Sequence, residues 1–292
     1  MTFDFGAFNN WGTLKAVAVR NPARAFKSDA KIDAEWKDLN FHSRPGLAKA
    51  LKEFEAVEKI LAATGAEVIQ LPDGPGLTLD SLYTHDALVV TPNGLVKPRM
   101  GKPQRRQEAD VNGAYLESLG YPIAGEIGGD GKLEGGDLVW LDRHTLIAGV
   151  GYRTNIEGVM QLQELAGGDV EVLWFDMPHY KGRTDVFHLM SVLSPLDRDL
   201  AVVYLPLMPV RLVELLEHRG VHFVHVPDEE FDSMGCNVLA LGPRHAMMVD
   251  GNPETHHRMR EAGVKVEVIS GSDICRKGEG GPTCMTRPLI RG

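Results

Sequence analysis

Five segments of the chain share one pattern of hydrophobic and polar positions. In each of them an amphipathic stretch with helical spacing runs into a glycine, and a short run of mainly apolar, often β-branched residues follows. These glycines stand where a helix commonly ends in a left-handed residue, a conformation that glycine adopts without steric cost. The pattern predicts five helix–strand units, whose terminal glycines are Gly65, Gly120, Gly167, Gly220 and Gly263.

Hairpin-like segments lie between these units. Their sequences are DALVVTPNGLVKPRM, GDLVWLDRHTLIAGV, SVLSPLDRDLAVVYL and NVLALGPRHAMMVD, in which alternating apolar residues flank a polar turn. With a further strand in TLKAVAVRNP, each unit reads strand, strand, helix, strand. The period is about 45–55 residues, which is typical of a repeat architecture. The sequence therefore predicts an α/β fold whose five units close into a propeller-like ring, with an open α/β sheet as the alternative.

The domain organisation follows from the same pattern. No Gly/Ser-rich or proline-rich linker interrupts the repeats, so we expect a single domain over residues 1–292. Residues 21–44 are polar and fit no period, which suits a mobile loop near a site.

Composition narrows the class of protein. The 292 residues are 43% hydrophobic and 24% charged, which is typical of a globular protein. The net charge of −9 gives no attraction to nucleic acid or to anionic membranes. Three cysteines without a CxxC spacing indicate neither a disulfide framework nor a zinc site. Because the N-terminal MTFDFGAFNNWG lacks the features of a signal peptide, the sequence predicts a soluble, cytoplasmic protein.

A cysteine and a histidine are the first candidates for chemistry. Cys284 follows the glycine-rich stretch GEGGPT, and flexible backbone with access suits a nucleophile, although a free cysteine is more often a small buried hydrophobe. Cys236 fits that second description because it precedes an apolar strand, while Cys275 is undecided. His188, in DVFHLMSVLS, is either a catalyst or a hydrogen-bonded core residue.

Carboxylates and arginines from other units complete the candidate set. Glu134 lies at the tight turn of LEGGDLVW, while Asp80 and Asp86 are six residues apart, an even spacing that places both on one face if the segment is a strand. Arg99 and Arg153 each follow a predicted hairpin strand. Carboxylates can bind a planar cation through paired hydrogen bonds, and arginines can bind a carboxylate. A thiolate and an imidazole between them can attack and protonate an amidine-type carbon.

With these residues the sequence resembles the guanidino-modifying enzymes of the pentein fold, a five-bladed α/β propeller. The group includes dimethylarginine dimethylaminohydrolases, arginine deiminases and amidinotransferases. The matching motifs follow the family order over nearly the whole chain: WGTLKAVAVR, DSLYTHDALVV, RMGKPQRR, LEGGD, GYRTN, FHLMSVLS, CNVLALG and GPTCMTRPL. The resemblance implies that Cys284 is the nucleophile, that His188 is the general acid/base and that Glu134 is the third catalytic residue. It also implies four substrate-binding residues, namely Asp86, Asp80, Arg99 and Arg153.

Two positions depart from the family pattern. Met190 stands where arginine deiminases have an aspartate two residues past the histidine, and His85 stands where dimethylaminohydrolases commonly have a glutamate. We expect Met190 to face the guanidinium, since an apolar side chain there suits an alkylated nitrogen. The resemblance therefore implies hydrolysis of a guanidino C–N bond, with dimethylarginine or another N-substituted arginine as the first choice of substrate. The products would be citrulline and an amine.

Other functions remain as alternatives. They are an arginine deiminase or another guanidino hydrolase, an amidinotransferase, and a non-catalytic pentein that acts as a binding module. The expected partner is a small-molecule guanidino substrate rather than nucleic acid or a membrane, and a homodimer is left open. Neither a metal nor an organic cofactor is expected, because the thiolate supplies the nucleophile that a zinc-bound water would otherwise provide.

Overall fold

The computed structural model describes residues 6–292. The first five residues lie outside the described residues, and they belong to the N-terminal sequence from which we expect no signal peptide. The strands form five separate sheets of three strands each. In every sheet the central strand pairs antiparallel on one side and parallel on the other. This is the strand, strand, helix, strand unit that the sequence pattern predicts.

The strands of the five sheets are, in order, β15 (Thr286–Arg291), β1 (Leu14–Val19) and β2 (Glu67–Gln70); β3 (Val89–Thr91), β4 (Gly94–Lys97) and β5 (Ile123–Glu126); β6 (Leu138–Asp142), β7 (Thr145–Val150) and β8 (Glu171–Asp176); β9 (Leu193–Asp197), β10 (Leu200–Val203) and β11 (His222–His225); β12 (Leu239–Gly242), β13 (His245–Val249) and β14 (Lys265–Ile269). The last strand of the chain pairs with the first, which joins the two ends of the chain in one sheet. The arrangement is therefore the closed ring and not the open sheet.

One long helix precedes the parallel strand of each sheet. These helices are α3 (Leu47–Ala63), α4 (Gln107–Ser118), α5 (Ile156–Ala166), α6 (Val210–His218) and α8 (Pro253–Glu261), and shorter helices are α1 (Pro22–Ala25), α2 (Asp29–Glu35) and α7 (Asp228–Phe231). The predicted terminal glycines all have a positive φ, with values of 79°, 95°, 92°, 74° and 80° for Gly65, Gly120, Gly167, Gly220 and Gly263. Their left-handed backbone is confirmed.

Residues 21–44 differ from the loop that the sequence predicts, since they contain α1 and α2. Ser28 begins α2 by accepting a hydrogen bond from the backbone N–H of Lys31, and the buried Ile32 packs into the apolar cluster of the first sheet. Ile32 is the one buried apolar residue of α2, and the buried Phe26, Leu39 and Phe41 lie outside both helices, which explains why the segment shows no helical period. In the described part of the chain, none of the helices has the length and apolar character required to cross a bilayer.

The closed ring brings distant segments to one of its ends. Asp86 precedes β3, Glu134 precedes β6, His188 precedes β9 and Cys284 precedes β15, while Arg153 follows β7. The first strands of the hairpins begin, and the second strands end, on the same side of the sheets. Residues more than 190 positions apart in sequence can thus contact one another, as in the hydrogen bond from the backbone N–H of His85 to the carbonyl oxygen of Cys284.

Candidate active site

One cavity at this end of the ring contains most of the predicted site residues. Its walls include Asp80, Asp86, Arg153, His188 and Cys284. The segment that follows α2 and the glycine-rich stretch before Cys284 also reach it. The other side chains that line it are Leu39, Asn40, Tyr83, Lys102, Arg105, Thr184, Val186 and Glu279.

Cys284 is the only one of the three cysteines that is not fully buried. The Asn237 side-chain amide donates a hydrogen bond to its sulfur, at 3.1 Å between Nδ2 and Sγ. Burial and the nearby Asp86 carboxylate raise the pKa of the Cys284 thiol to about 11, and the hydrogen bond from Asn237 opposes that rise. In the empty cavity the sulfur is therefore a thiol at neutral pH. Cys236 and Cys275 are buried, and burial raises the pKa of each.

His188 lies just before a short 3₁₀ turn, and its ring is held by a carboxylate behind it. Its Nε2 and the Oε2 of Glu134 are 2.8 Å apart, and its Nδ1 lies 3.9 Å from the Oδ1 of Asp86. Burial alone would lower the pKa of His188, but the carboxylates of Asp137, Asp86 and Glu134 outweigh it and raise the pKa to about 9. The imidazole is therefore protonated at neutral pH and can donate a proton.

Glu134 lies behind the histidine and does not line the cavity. It is fully buried, and its Oε2 also accepts from the Nη1 of Arg153 at 3.1 Å. Burial would raise the pKa of Glu134, but His188 and Arg153 lower it well below its usual range. The expectation that Glu134 holds the guanidinium together with Asp86 does not fit this geometry. His188 and Arg153 occupy its Oε2, and its Oε1 accepts from the backbone N–H of Lys102 at 3.0 Å.

Asp86 lines the cavity and accepts hydrogen bonds from two groups of the protein. Its Oδ2 accepts from the Nη1 of Arg105 at 2.5 Å, and its Oδ1 accepts from the backbone N–H of Gly136 at 2.9 Å. A Cβ on Gly136 would come within 2.7 Å of that Oδ1, so the turn after Glu134 requires glycine at this point. Burial would raise the pKa of Asp86, but His188 and Arg105 lower it overall, so Asp86 is a carboxylate at neutral pH.

Asp80 and Asp86 lie in irregular segments and not on the face of a strand. Asp80 belongs to a 3₁₀ turn and forms an ion pair with Lys102, at 2.6 Å between Oδ2 and Nζ. Asp86 lies in the loop before β3. The spacing argument was therefore wrong about the local structure, although both side chains reach the same cavity.

Three predicted positions lie away from the cavity. Arg99 is absent from its walls and donates to the carbonyl oxygen of Gly131 at 3.4 Å. Met190 packs into an apolar cluster with Val192 and Leu193 and is 5% exposed, so the expectation that it faces the guanidinium is not met. His85 and Met190 instead line a separate, smaller cavity together with Ser194 and Pro195.

The sequence analysis missed two cations of the cavity, although it quoted their segment. Lys102 and Arg105 both belong to RMGKPQRR, from which only Arg99 was selected. Arg105 uses Nε and Nη2 to bind both oxygens of Glu108, at 2.9 and 2.8 Å, and Nη2 also donates to the carbonyl oxygen of Tyr83. The i, i+3 spacing of Arg105 and Glu108 was the available signal.

Asp86, Glu134 and His188 also satisfy the distance requirement for a metal site, since their ligand atoms lie within 4.8 Å of one another. Two of the three are already ion-paired, Asp86 with Arg105 and Glu134 with Arg153. A divalent cation would have to compete with these guanidinium groups at close range. The donor set is therefore better suited to organic cations and protons than to a resident metal.

Comparison with known proteins places the chain in a family. Residues 22–291 match the family described as "N,N dimethylarginine dimethylhydrolase, eukaryotic". The arginine deiminase of Mycoplasma capricolum is 31% identical, over 91% of this chain and 76% of the deiminase. The uncharacterized protein YkgA of Bacillus subtilis is 26% identical, over 97% and 94% of the two chains. Against the arginine deiminase of Listeria monocytogenes the identity is also 26%, and the match spans only 62% of that enzyme.

Solved structures show the same architecture. A cysteine-to-serine variant of DDAH from Pseudomonas aeruginosa, complexed with citrulline, aligns with a TM-score of 0.74 at 23% identity, over 95% of this chain and all of that one. The product-bound N-terminal domain of ArgZ, a cyanobacterial arginine dihydrolase, gives 0.80 at 19% identity, over 96% and 98% of the two chains. The amidinotransferase SxtG of Microseira wollei gives 0.78 at 17% identity, over 98% and 97%. The fold is thus the five-bladed pentein propeller.

The match over residues 22–291 means that the chain belongs to the dimethylarginine dimethylaminohydrolase family. The resemblance seen in the sequence motifs is thereby confirmed for family and fold.

Proposed function

We propose that the chain is one catalytic domain that hydrolyses the C–N bond of an N-substituted arginine, dimethylarginine first, to citrulline and an amine, without a metal or an organic cofactor. The observation that carries the proposal is the presence of a cysteine, a protonated histidine and a carboxylate in one cavity, from Cys284, His188 and Asp86. This is the set that attack on a guanidinium carbon and departure of an amine require.

The charges around the cavity favour a cationic substrate. The carboxylates that line the cavity or form ion pairs with its lining residues outnumber the cations, even when His188 is counted as charged. The acids are Asp80, Asp86, Glu108, Glu134 and Glu279, and the cations are Lys102, Arg105, Arg153 and His188. Burial raises the pKa of Asp137 to about 6, which leaves it mostly ionised at neutral pH. A guanidinium would offset the excess negative charge, which an anionic substrate would increase.

The geometry suggests how the groups act in sequence. Asp86 holds the guanidinium, whose positive charge lowers the pKa of the Cys284 thiol, and the thiol proton passes to solvent. The thiolate attacks the central carbon and forms the new C–S bond. As the C–N bond breaks, the departing nitrogen takes a proton from His188, which leaves a covalent thiouronium and a neutral imidazole. His188 then removes a proton from water, and the water oxygen attacks the same carbon. The C–S bond breaks, the sulfur of Cys284 leaves as a thiolate, and the proton of the added hydroxyl passes to solvent as the ureido product forms.

The apolar part of the cavity lining favours a substituted nitrogen. Asp80, Asp86 and Glu279 contribute carboxylates to the cavity, while the side chains of Val186 and Leu39 give it apolar surface. Burying a methyl group contributes roughly 0.8 kcal/mol, whereas unpaired N–H donors of an unsubstituted nitrogen cost about 1–3 kcal/mol. Both effects favour dimethylarginine over arginine, by about ten- to several-hundred-fold in kcat/KM.

A turnover screen tests the proposal. Arginine, its methylated forms, agmatine and guanidino acids are incubated with the protein, and amine, ammonia and ureido products are measured. Amine and citrulline from dimethylarginine, with arginine at least about tenfold slower, support the proposal. Ammonia from arginine as the faster reaction would identify a deiminase. Amidine transfer to an added amine would identify a transferase, and unaltered compounds throughout would favour the binding module.

Arg153 is proposed to bind the α-carboxylate of the substrate, since it lines the cavity and only its Nη1 is engaged by Glu134. Arg153→Ala removes a charged hydrogen-bond partner worth about 1.5–3 kcal/mol. We expect the kcat/KM ratio of the amino-acid substrate over its decarboxylated analogue to fall by at least about tenfold. Because the substitution also removes the ion pair between Arg153 and Glu134, kcat should fall for both substrates. The ratio of the two kcat/KM values is therefore the decisive measurement. Arg99→Ala, outside the cavity, serves as the matched control, and an equal fall there would contradict the assignment.

Met190→Asp is expected to destabilise the protein without changing its substrate preference. The new carboxylate would lie among buried apolar side chains and lose hydration without gaining a partner, which costs several kcal/mol. Thermal melts and the ratio of rates on dimethylarginine and arginine separate the two effects. Met190→Leu, which conserves the volume, should change the free energy of unfolding by less than about 1.5 kcal/mol. A folded Met190→Asp variant that gains preference for arginine would place Met190 in the substrate site after all.

A further inference from the structure

Asn237 lies directly against the sulfur of Cys284 and has no part in the chemistry described so far. It belongs to the loop before β12 and is 9% exposed. Its Nδ2 is 3.1 Å from the Sγ of Cys284. The side chain therefore links the fifth sheet to the segment that carries the proposed nucleophile.

A second hydrogen bond fixes the orientation of this amide. The Oδ1 of Asn237 accepts from the backbone N–H of Thr283 at 3.1 Å. A backbone N–H can only donate, so the carbonyl oxygen of the amide must face it, and the NH₂ group must face the sulfur. Rotating the amide by 180° would set two donors against each other at Thr283. The direction of the contact with Cys284 therefore follows from the network itself.

The approach depends on the absence of a side chain at Gly281. A Cβ at that position would come within 2.5 Å of the Oδ1 of Asn237, which is closer than such atoms approach one another. The glycine-rich stretch before Cys284 thus lets the amide pack against the backbone beside the sulfur. This accounts for one of the glycines that the sequence shows in GEGGPT.

An N–H donor aimed at sulfur acts differently on the two protonation states. A hydrogen bond to an ionised acceptor is roughly twice as strong as one between neutral groups, so the amide stabilises the thiolate more than the thiol. Burial and Asp86 act in the opposite direction on the pKa of Cys284, and the bond from Asn237 lowers it. Asn237 is therefore an uncharged hydrogen-bond donor that favours the thiolate form of Cys284.

We propose that Asn237 is a positioning residue for the reaction, which holds the sulfur of Cys284 toward the cavity and stabilises its thiolate. The inference rests on the proposed function in taking Cys284 as the nucleophile. A purely structural role, in which Asn237 only caps the backbone at Thr283, is the alternative.

Asn237→Asp separates these two roles. The aspartate keeps an oxygen for the N–H of Thr283 but places its second oxygen against the sulfur, where it opposes ionisation. Below the pKa of a thiol, its reactive fraction falls tenfold for each unit by which the pKa rises. We expect iodoacetamide to alkylate Cys284 at pH 8 about tenfold more slowly than in the wild type, with the site confirmed by peptide mapping. The loss in kcat/KM should diminish as the pH is raised, whereas a structural defect would give a loss independent of pH.

Asn252→Ala is the matched control in the same sheet. The Nδ2 of Asn252 donates to the carbonyl oxygens of Ser233 and Val249, and it has no contact with sulfur, so its loss should lower stability and leave alkylation at the wild-type rate. Asn237→Ala, which removes the donor without adding a charge, should slow alkylation less than Asn237→Asp and decides the matter if the aspartate variant does not fold. A folded variant of either kind that alkylates at the wild-type rate overturns the proposal. Because alkylation needs no substrate, the result stands apart from the outcome of the turnover screen.

Discussion

Cys284→Ser is expected to reduce turnover of the guanidino substrate by at least about 10⁴-fold, as removal of a covalent nucleophile commonly does. A serine hydroxyl is far less acidic than a thiol, so the guanidinium charge and the hydrogen bond from Asn237 cannot produce a useful concentration of its anion. Substrate should still bind, because Asp86 and Arg153 are unchanged. Calorimetry of the variant with dimethylarginine measures that binding while product assays measure turnover.

A covalent intermediate gives a direct measurement on the wild type. Acid quench during turnover, followed by peptide mapping, should find a substrate-derived mass on the peptide that contains Cys284. Cys236→Ser is the matched control, since Cys236 is buried outside the cavity and its thiol donates to the carbonyl oxygen of Val202, at 3.6 Å. That variant should keep its activity. An adduct on Cys236 or Cys275, or an active Cys284→Ser variant, would contradict the assignment of the nucleophile.

Much of the fold could be predicted because its signals are local. A helix that ends at glycine is visible in a few neighbouring residues, and so is the hairpin between β3 and β4, whose turn residues Pro92 and Asn93 stand directly before Gly94. Repetition of these local patterns along the chain then predicts the ring, since none of the units can bury its apolar face alone. The segment 21–44 escaped this reasoning because α1 and α2 are short and contribute few buried apolar positions.

The site was harder to predict, since its side chains lie in irregular segments. On a strand or a long helix the spacing of two residues fixes their relative direction, but the stretch from Arg99 to Arg105 has as its only regular element a 3₁₀ turn of three residues that ends at Arg105. Sequence motifs therefore identified a segment that reaches the cavity but selected an arginine that does not line it. Met190 is a similar case, because the 3₁₀ turn after His188 directs its side chain away from the cavity and into the core.

The role of Glu134 could not be read from sequence for a different reason. A carboxylate in a guanidino-binding site can hold either the substrate or the histidine, and the residue type is the same in both cases. Only the distances decide, and they place the Oε2 of Glu134 at 2.8 Å from His188 and at 3.1 Å from Arg153. The residue thus links the proposed acid to the proposed carboxylate-binding arginine, which explains why a change at Arg153 should reach kcat as well as KM.

His188→Gln is expected to lower kcat on dimethylarginine by about 10²–10⁴-fold, the contribution that a positioned general acid/base makes. Glutamine keeps polar groups near Glu134 but has no proton to give to the departing amine. In a substrate that carries a methylthio group in place of the departing amine, the leaving group is methanethiolate, which departs without protonation. The rate at which this substrate forms the covalent thiouronium should therefore fall much less in His188→Gln. Equal losses on both substrates would show that His188 does not act as the acid.

The pH dependence of kcat also tests whether His188 is the general acid. The carboxylates around His188 raise its pKa to about 9 against the effect of burial, so the acid is present below that pH and is lost as the pH rises through it. Glu134→Gln removes the negative charge of one of these carboxylates and leaves a neutral amide oxygen as the acceptor for Nε2. The pKa of His188 should fall, and the alkaline limb of kcat should move to lower pH than in the wild type. Arg219→Ala, whose ion pair with Asp142 lies in the hairpin turn at the opposite end of the sheet, should leave the limb in place. If the alkaline limb of kcat stays at the wild-type pH in a folded Glu134→Gln variant, a group other than His188 supplies the proton.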